Sequence, residues 1–333
     1  MTGRRAAGLV LVLALAACAP SLQSPGTGID AQRLDADRFV THDGIELKIK
    51  TWRPKGEPRA AILALHGFND YRNFIDDSAS EWAEQGIVTY AYDQRGFGEA
   101  PDPGIWAGAE PLVRDAGDMA RLLRARDPAL PLFLLGESMG GAVAVLAMAG
   151  ERPPPVDGAI LAAPALWGRQ YMPGIQSGSL DFLAHAMPWF PVDGRGTGRV
   201  ASDNTPMLRK LGGDPLVLKY NRIDAIYGLV NLMEAAQQSA PRFAATALIL
   251  LGGNEQLIPK GPVDSFLKEL PADAARRQRL AVYPKGFHML LRDLNAGAVR
   301  GDAAAWIADR TAPLPSGAET KINHRDTETQ SKN

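Results

Sequence analysis

Short, unbroken apolar runs at regular intervals constrain this chain more than any other feature. They are Ala61–Leu65, Ile87–Tyr92, Leu132–Leu135, Ala159–Ala162 and Ala247–Leu251, with a weaker one at Leu280–Tyr283. Each is the length of a strand and too short for a buried helix. Continuous apolarity requires burial on both faces, as in a parallel sheet covered by helices. Between them lie stretches such as Leu112–Arg126, with apolar residues at helical spacing. Two further runs come first, Arg38–Thr41 and Leu47–Trp52, joined by a turn at Asp43-Gly44. Alternation in the second leaves one face in water. A repeated β-then-α order predicts an α/β protein with a mostly parallel, doubly wound sheet.

One interval breaks the rhythm. Residues 164–241 contain no convincing strand but many aromatics, glycines and prolines. So long a gap inside an α/β domain reads as an inserted, mainly helical lid. The core is then 37–163 with 242–312, and the polar stretch 313–333 is expected to be a disordered tail.

The only cysteine, Cys18, closes an N-terminal signal in which Arg4 and Arg5 precede the apolar stretch Ala6–Ala17. That stretch falls short of the roughly 20 residues a membrane span needs and matches an export signal. Leu15-Ala16-Ala17-Cys18 looks like a bacterial lipobox, which predicts a lipoprotein signal over 1–18 whose Cys18 is acylated and becomes the mature N-terminus, with 19–36 as a tether. Ala17-Cys18-Ala19 also fits an ordinary signal-peptidase site, which would discard the cysteine. We expect the lipoprotein, held at the outer membrane. A mature chain without a second cysteine must rest on its core and not on disulfides. The formal net charge of -1 gives no electrostatic basis for nucleic-acid binding.

Gly136-Glu137-Ser138-Met139-Gly140-Gly141 follows one apolar run and precedes a good helix. G-x-S-x-G in a strand-turn-helix setting presents the serine hydroxyl above the sheet, beside a helix N-terminus that favours a developing oxyanion. Serine needs a base. Of five histidines, His42 lies in a turn, His185 in the lid and His324 in the tail. His66, in His66-Gly67-Phe68, suits shaping a loop whose Phe68 N–H would serve an oxyanion. His288, just after the last strand, is the expected base. The acid should follow the preceding strand, where Glu255 stands in Gly252–Pro259, with Asp264 as the fallback. No cluster has metal-ligand spacing, and no cofactor is expected.

From about Phe39 to Ile307 the chain resembles the monoacylglycerol lipase and lysophospholipase-like α/β hydrolases, which share a domain with serine aminopeptidases. The resemblance rests on His66-Gly67, Tyr92–Gly98, Gly136–Gly141, Gly252–Pro259 and Tyr283–His288, and on Ser202-Asp203-Asn204 and Asp214–Val217 in the lid. It implies the α/β-hydrolase fold, the triad Ser138, Glu255 and His288, and an oxyanion hole of Phe68 and Met139 N–H groups. Asp93 and Arg95 would pin the adjacent turn. The chain departs from the family in having Glu255 for the usual Asp, Glu137 for the usual elbow His, and no second histidine after His66-Gly67. The expected activity is ester hydrolysis on a single-chain lipid. A peptidase, an acyltransferase or a non-catalytic surface lipoprotein remains as an alternative. Large apolar residues crowd the first part of the lid, among them Trp167, Trp189 and Phe190, and these are expected to line an acyl pocket.

Overall fold

The computed structural model describes residues 19–28, 32–193 and 198–322. Ten strands form one sheet: β1 (Arg33–Leu34), β2 (Arg38–Val40), β3 (Glu46–Trp52), β4 (Ala60–Leu65), β5 (Ile87–Tyr92), β6 (Leu132–Glu137), β7 (Gly158–Ala162), β10 (Ala247–Gly252), β11 (Gln278–Tyr283) and β12 (Glu319–Thr320). Their order is β1-β2-β3-β5-β4-β6-β7-β10-β11-β12. From β5 to β11 every neighbour is parallel. The first three strands and β12 join antiparallel.

Period-two alternation of side chains divides the core in two. Ala61, Leu63 and Leu65 of β4 enter one cluster, and Ala60, Ile62 and Ala64 enter the other. The first is covered by α2 (Ala109–Arg126), α3 (Met139–Ala149), α6 (Ile223–Gln238) and α7 (Lys260–Glu269). The second is covered by α1 (Asp76–Glu84) and α8 (Ala296–Ala308). Trp306 of α8 packs edge-on against Phe133 of β6, over Gly158, where a Cβ would come within 2.7 Å of the indole.

Three expectations change. The insertion was expected to reach residue 241, but α6 contributes Val230, Leu232 and Met233 to the core beside α3. The lid proper therefore ends near Arg222, after α4 (Gly174–Ala186), β8 (Pro191–Val192), α5 (Thr205–Gly213) and β9 (Asn221–Arg222). The disordered tail is ordered through its first ten residues: Leu314 is buried, and β12 pairs with β11. Polar bonds hold it there, which a hydrophobicity pattern does not register. Arg279 grips Glu319 in two hydrogen bonds, and Asp302 accepts from the Ser316 N–H at 2.9 Å. The tether also lies against the body, with Ser21 N–H on Asp224 at 3.1 Å and Gln23 N–H on the Trp106 carbonyl at 3.0 Å. Cys18 and its signal, and residues 323–333, lie outside the described residues.

Candidate active site

Ser138 sits between β6 and α3 with φ 54 and ψ -116, a left-handed conformation that a side-chain-bearing residue adopts only under strain. Its neighbours have no room for a Cβ. One on Gly136 would lie 2.2 Å from the Gly140 carbonyl oxygen, and one on Gly140 would lie 2.2 Å from that of Leu65. Backbone bonds hold the turn: Ser138 N–H donates to the Ala162 carbonyl at 3.0 Å, and its own carbonyl accepts from Ala142 and Ala165. Met139 opens α3, so the free N–H groups of that helix end lie next to the serine.

The loops after β10 and β11 press together because Gly252 and Gly253 are bare. A Cβ on either would approach backbone of residues 284–287 within 2.6 Å. Gly253 N–H therefore reaches the Tyr283 carbonyl, and Asn254 N–H reaches that of Gly286, both at 2.8 Å. This docking brings Glu255 Oε2 to 2.6 Å from His288 Nδ1. A carboxylate only accepts, so Nδ1 carries the proton and Nε2 is left as an acceptor. Glu255 Oε1 accepts from the N–H groups of Leu257 at 2.6 Å and Ile258 at 3.1 Å. Burial pushes this carboxyl up, but His288 and the two N–H groups outweigh burial and hold it below its ordinary value. Asp264, the fallback acid, is bound instead by Lys260 in an exposed pair on α7.

Ser138 and His288 line one cavity of about 310 Å³ with Gly67, Phe68, Trp167, Leu229, Met233 and Ile258. Gly67 lies so near that a Cβ there would be 3.3 Å from that of Ser138. His66 holds this loop from below. Its Nδ1 is 2.8 Å from the Gly67 carbonyl and its Nε2 accepts from Gln94 N–H at 2.9 Å, an arrangement that fits a neutral ring. Complete burial lowers its pKa to match. Phe68 is fixed edge-on against Phe97. Asp93 and Arg95 sit beneath the neighbouring turn, where Arg95 binds Asp43 and Asp115, and Asp93 accepts from the N–H groups of Arg72 and Glu99.

Of the three lid residues expected in the pocket, only Trp167 lines it. Trp189 and Phe190 are 55% and 47% exposed and do not contribute to the cavity. They lead into β8, which pairs antiparallel with β9. Other lid residues do matter to the site. Ser202 Oγ donates to Asp293 at 2.5 Å, Asp293 accepts from Phe287 N–H at 2.7 Å, and Met289 N–H donates to the Ala201 carbonyl at 2.9 Å. The Ser202-Asp203-Asn204 stretch thus staples the His288 loop from the lid side.

Sequence reading missed Arg292. It is buried beside the cavity, with one nitrogen 2.6 Å from Asp70 and another 2.5 Å from Glu137, the second residue of the elbow. Burial raises the Glu137 carboxyl against the pull of Arg292. Arg292 stays charged because its two carboxylates outweigh its burial. The available signal was complementarity: an acid in the elbow, an acid after His66-Gly67, and an arginine four residues after His288.

Among the described residues, no group of three or more His, Cys, Asp or Glu is arranged to hold a metal ion, and no helix is long and apolar enough to cross a membrane.

Residues 56–295 match the family model described as serine aminopeptidase, S33. The chain is 26% identical over 294 residues to the mouse monoglyceride lipase, covering 85% of this chain and 93% of that one. It is 23% identical to the monoacylglycerol lipase of Mycolicibacterium smegmatis, covering 81% and 95%. Among solved structures, a soluble variant of the Saccharomyces cerevisiae monoglyceride lipase with a substrate analogue superimposes with a TM-score of 0.69 at 19% identity, covering 88% of this chain and 98% of that one. The Paleococcus ferrophilus monoacylglycerol lipase gives 0.67 at 20%, covering 80% and 100%. At such identities these two structures speak to the fold, which is that of the α/β hydrolases.

Proposed function

Because the chain belongs to the serine aminopeptidase S33 family and is a monoacylglycerol lipase-like α/β hydrolase, we propose that it cleaves carboxylic esters of single-chain lipids with Ser138, His288 and Glu255 as its triad. The observation that carries this is the 2.6 Å bond from Glu255 to His288, with His288 sharing a cavity with the strained Ser138. The curated relatives named as monoglyceride lipases support the substrate class.

Ser138 Oγ adds to the ester carbonyl while His288 Nε2 takes its proton, and Glu255 stabilises the resulting imidazolium. Negative charge then grows on the carbonyl oxygen, which the N–H groups of Phe68 and Met139 would receive. The intermediate collapses with breakage of the carbon–oxygen ester bond, and His288 protonates the leaving alcohol. Water, deprotonated by the same histidine, hydrolyses the acyl-enzyme and restores Ser138.

Leu229, Met233 and Ile258 give the cavity an apolar wall suited to an acyl chain. Each buried methylene is worth about 0.8 kcal/mol, so kcat/KM should climb with chain length until the cavity is filled. The family description also suggests a peptidase, and the same triad chemistry serves acyl transfer as a further alternative. An aminopeptidase needs an anion for the substrate's amine, and both cavity carboxylates, Asp70 and Glu137, already bind Arg292. A series of p-nitrophenyl esters from two to sixteen carbons tests the reading. A maximum at acetate, or peptides cleaved faster than every ester, would reject it.

The export signal further supports a chain acylated at Cys18 and held at the outer membrane, where such amphiphiles collect. Labelled palmitate should enter the wild type and not Cys18→Ser. A mature N-terminus at Pro20 would end the lipoprotein reading.

A further inference from the structure

Behind the Glu255 loop lies a second cavity, of about 410 Å³, larger than the one beside Ser138. Leu251 of β10 and Val282 of β11 form its floor. They are direct partners in the parallel register and interior to the sheet, yet both are only partly buried. Val263 and Leu267 of α7 make one wall, and Ile322, just beyond β12, makes another. Apolar surface in the middle of a sheet normally meets a helix. Here α7 and the C-terminal segment stand apart and leave a slot.

The mouth is basic. Lys260, Lys268 and Lys321 line it, against a single acid at the rim, Asp264, which Lys260 binds. Glu255 also contributes to the wall, but its two oxygens are taken by His288, Leu257 and Ile258. An apolar slot of one-chain size with surplus positive charge at its mouth has the complementarity of an anionic amphiphile: a hydrocarbon tail inside and a carboxylate at the lysines.

We propose that this cavity is a second ligand site, which takes a long-chain fatty acid. The proposal depends on ester cleavage only for the source of the occupant, since a lipid esterase releases such an acid. Gly252, Gly253 and Glu255 form part of its wall, and Ile258 lines both cavities. An occupant therefore touches the loop that orients His288 without entering the space where the ester sits, so it acts on kcat and not on KM.

Sodium oleate, kept below its micelle concentration, is titrated calorimetrically into Ser138→Ala, so that binding is read without turnover. The expected result is one saturable site, weakened at least tenfold by Lys268→Glu with Lys321→Glu and lost in Leu267→Trp, which fills the slot. Oleyl alcohol, with the same chain and no charge, should bind at least tenfold more weakly than oleate. The two lysines are exposed, so their replacement keeps the test valid even where the tryptophan variant fails to fold. In the wild type, oleate should change kcat for p-nitrophenyl butyrate and leave KM unmoved. Oleate affinity indifferent to the lysine pair, or an effect confined to KM, would put the fatty acid beside Ser138 and overturn the proposal. A protein that binds oleate as expected but turns over no ester would instead count against the esterase reading alone.

Discussion

The floor of the site and the insertion above it are built on opposite terms. On the floor, each group that would do chemistry is held from several sides: Ser138 by bare glycines and three backbone bonds, His288 by Glu255 and the stapled loop around Asp293, and Gly67 by His66. In the insertion, large apolar side chains face solvent, with Ile175 83% exposed and Phe182 70% exposed. The floor is over-determined, which keeps reacting atoms where they must be. Away from its Ser202–Asn204 staple the insertion is less constrained, so α4 is the part free to vary with substrate.

The sharpest way to break this comparison is to remove the nucleophile. Ser138→Ala should lower ester turnover by at least about 10³-fold and abolish fluorophosphonate labelling, as loss of a triad nucleophile does elsewhere. Thermal unfolding should scarcely change, because the turn is held by backbone. Substantial residual activity would move the chemistry off the floor.

Glu255→Gln comes next, with an expected loss of about 10²- to 10⁴-fold in kcat, whereas Asp264→Asn should do little. The same variant has a pH signature. The folded-state pKa of Glu255 is depressed, so its contribution to stability is present above the unfolded carboxyl value of about 4.3 and fades as pH falls through the folded one. The Tm difference between wild type and Glu255→Gln should therefore shrink as the pH falls below that unfolded value and close once the folded carboxyl is protonated. A gap that widens with acidity would contradict the ionised Glu255 described above.

Stability separates the two regions again. Arg292→Met strands Asp70 and Glu137 in the interior and should cost about 3–5 kcal/mol in urea unfolding. Phe182→Ser on the insertion should stay within about 0.5 kcal/mol. Equal effects would mean that the insertion is as tightly packed as the floor.

Much of the floor could be read from sequence because its signals are local. Strand–Gly136-Glu137-Ser138–helix is one continuous stretch, and the apolar runs became β4, β5, β6, β7, β10 and β11 within a residue or two. Arg292 was not legible, since its partners stand 222 and 155 residues away and only the fold joins them. The end of the lid was misjudged because a helix that covers a sheet and a helix in an insertion share one apolar periodicity. Only packing against α3 tells them apart. The C-terminal strand was hidden for the opposite reason: its attachment is polar, and Glu319 in a charged stretch looks like solvent-facing sequence until Arg279 is beside it. Trp189 and Phe190 were assigned to the pocket on size and apolarity alone, which carry no information on direction.

That last error leads to the smallest and most discriminating test, which sets Trp167 against Trp189. Both are lid tryptophans, and sequence gave no ground to separate them. Trp167 is half-buried, lines the Ser138 cavity and has Arg199 stacked 5.9 Å from its ring. Trp189 stands in solvent. Trp167→Ala takes away part of the apolar wall, and losing such a contact is worth about 1 kcal/mol, or roughly fivefold. Its kcat/KM should fall by about that factor on esters of eight carbons or more and by less on acetate, because only the longer chain reaches the missing surface. Trp189→Ala should stay within about twofold across the whole series, since an exposed side chain outside the cavity has nothing to lose with a soluble ester. The reverse ranking would mean that the insertion closes on substrate and carries Trp189 inward, so that the floor and the lid form one binding surface during turnover.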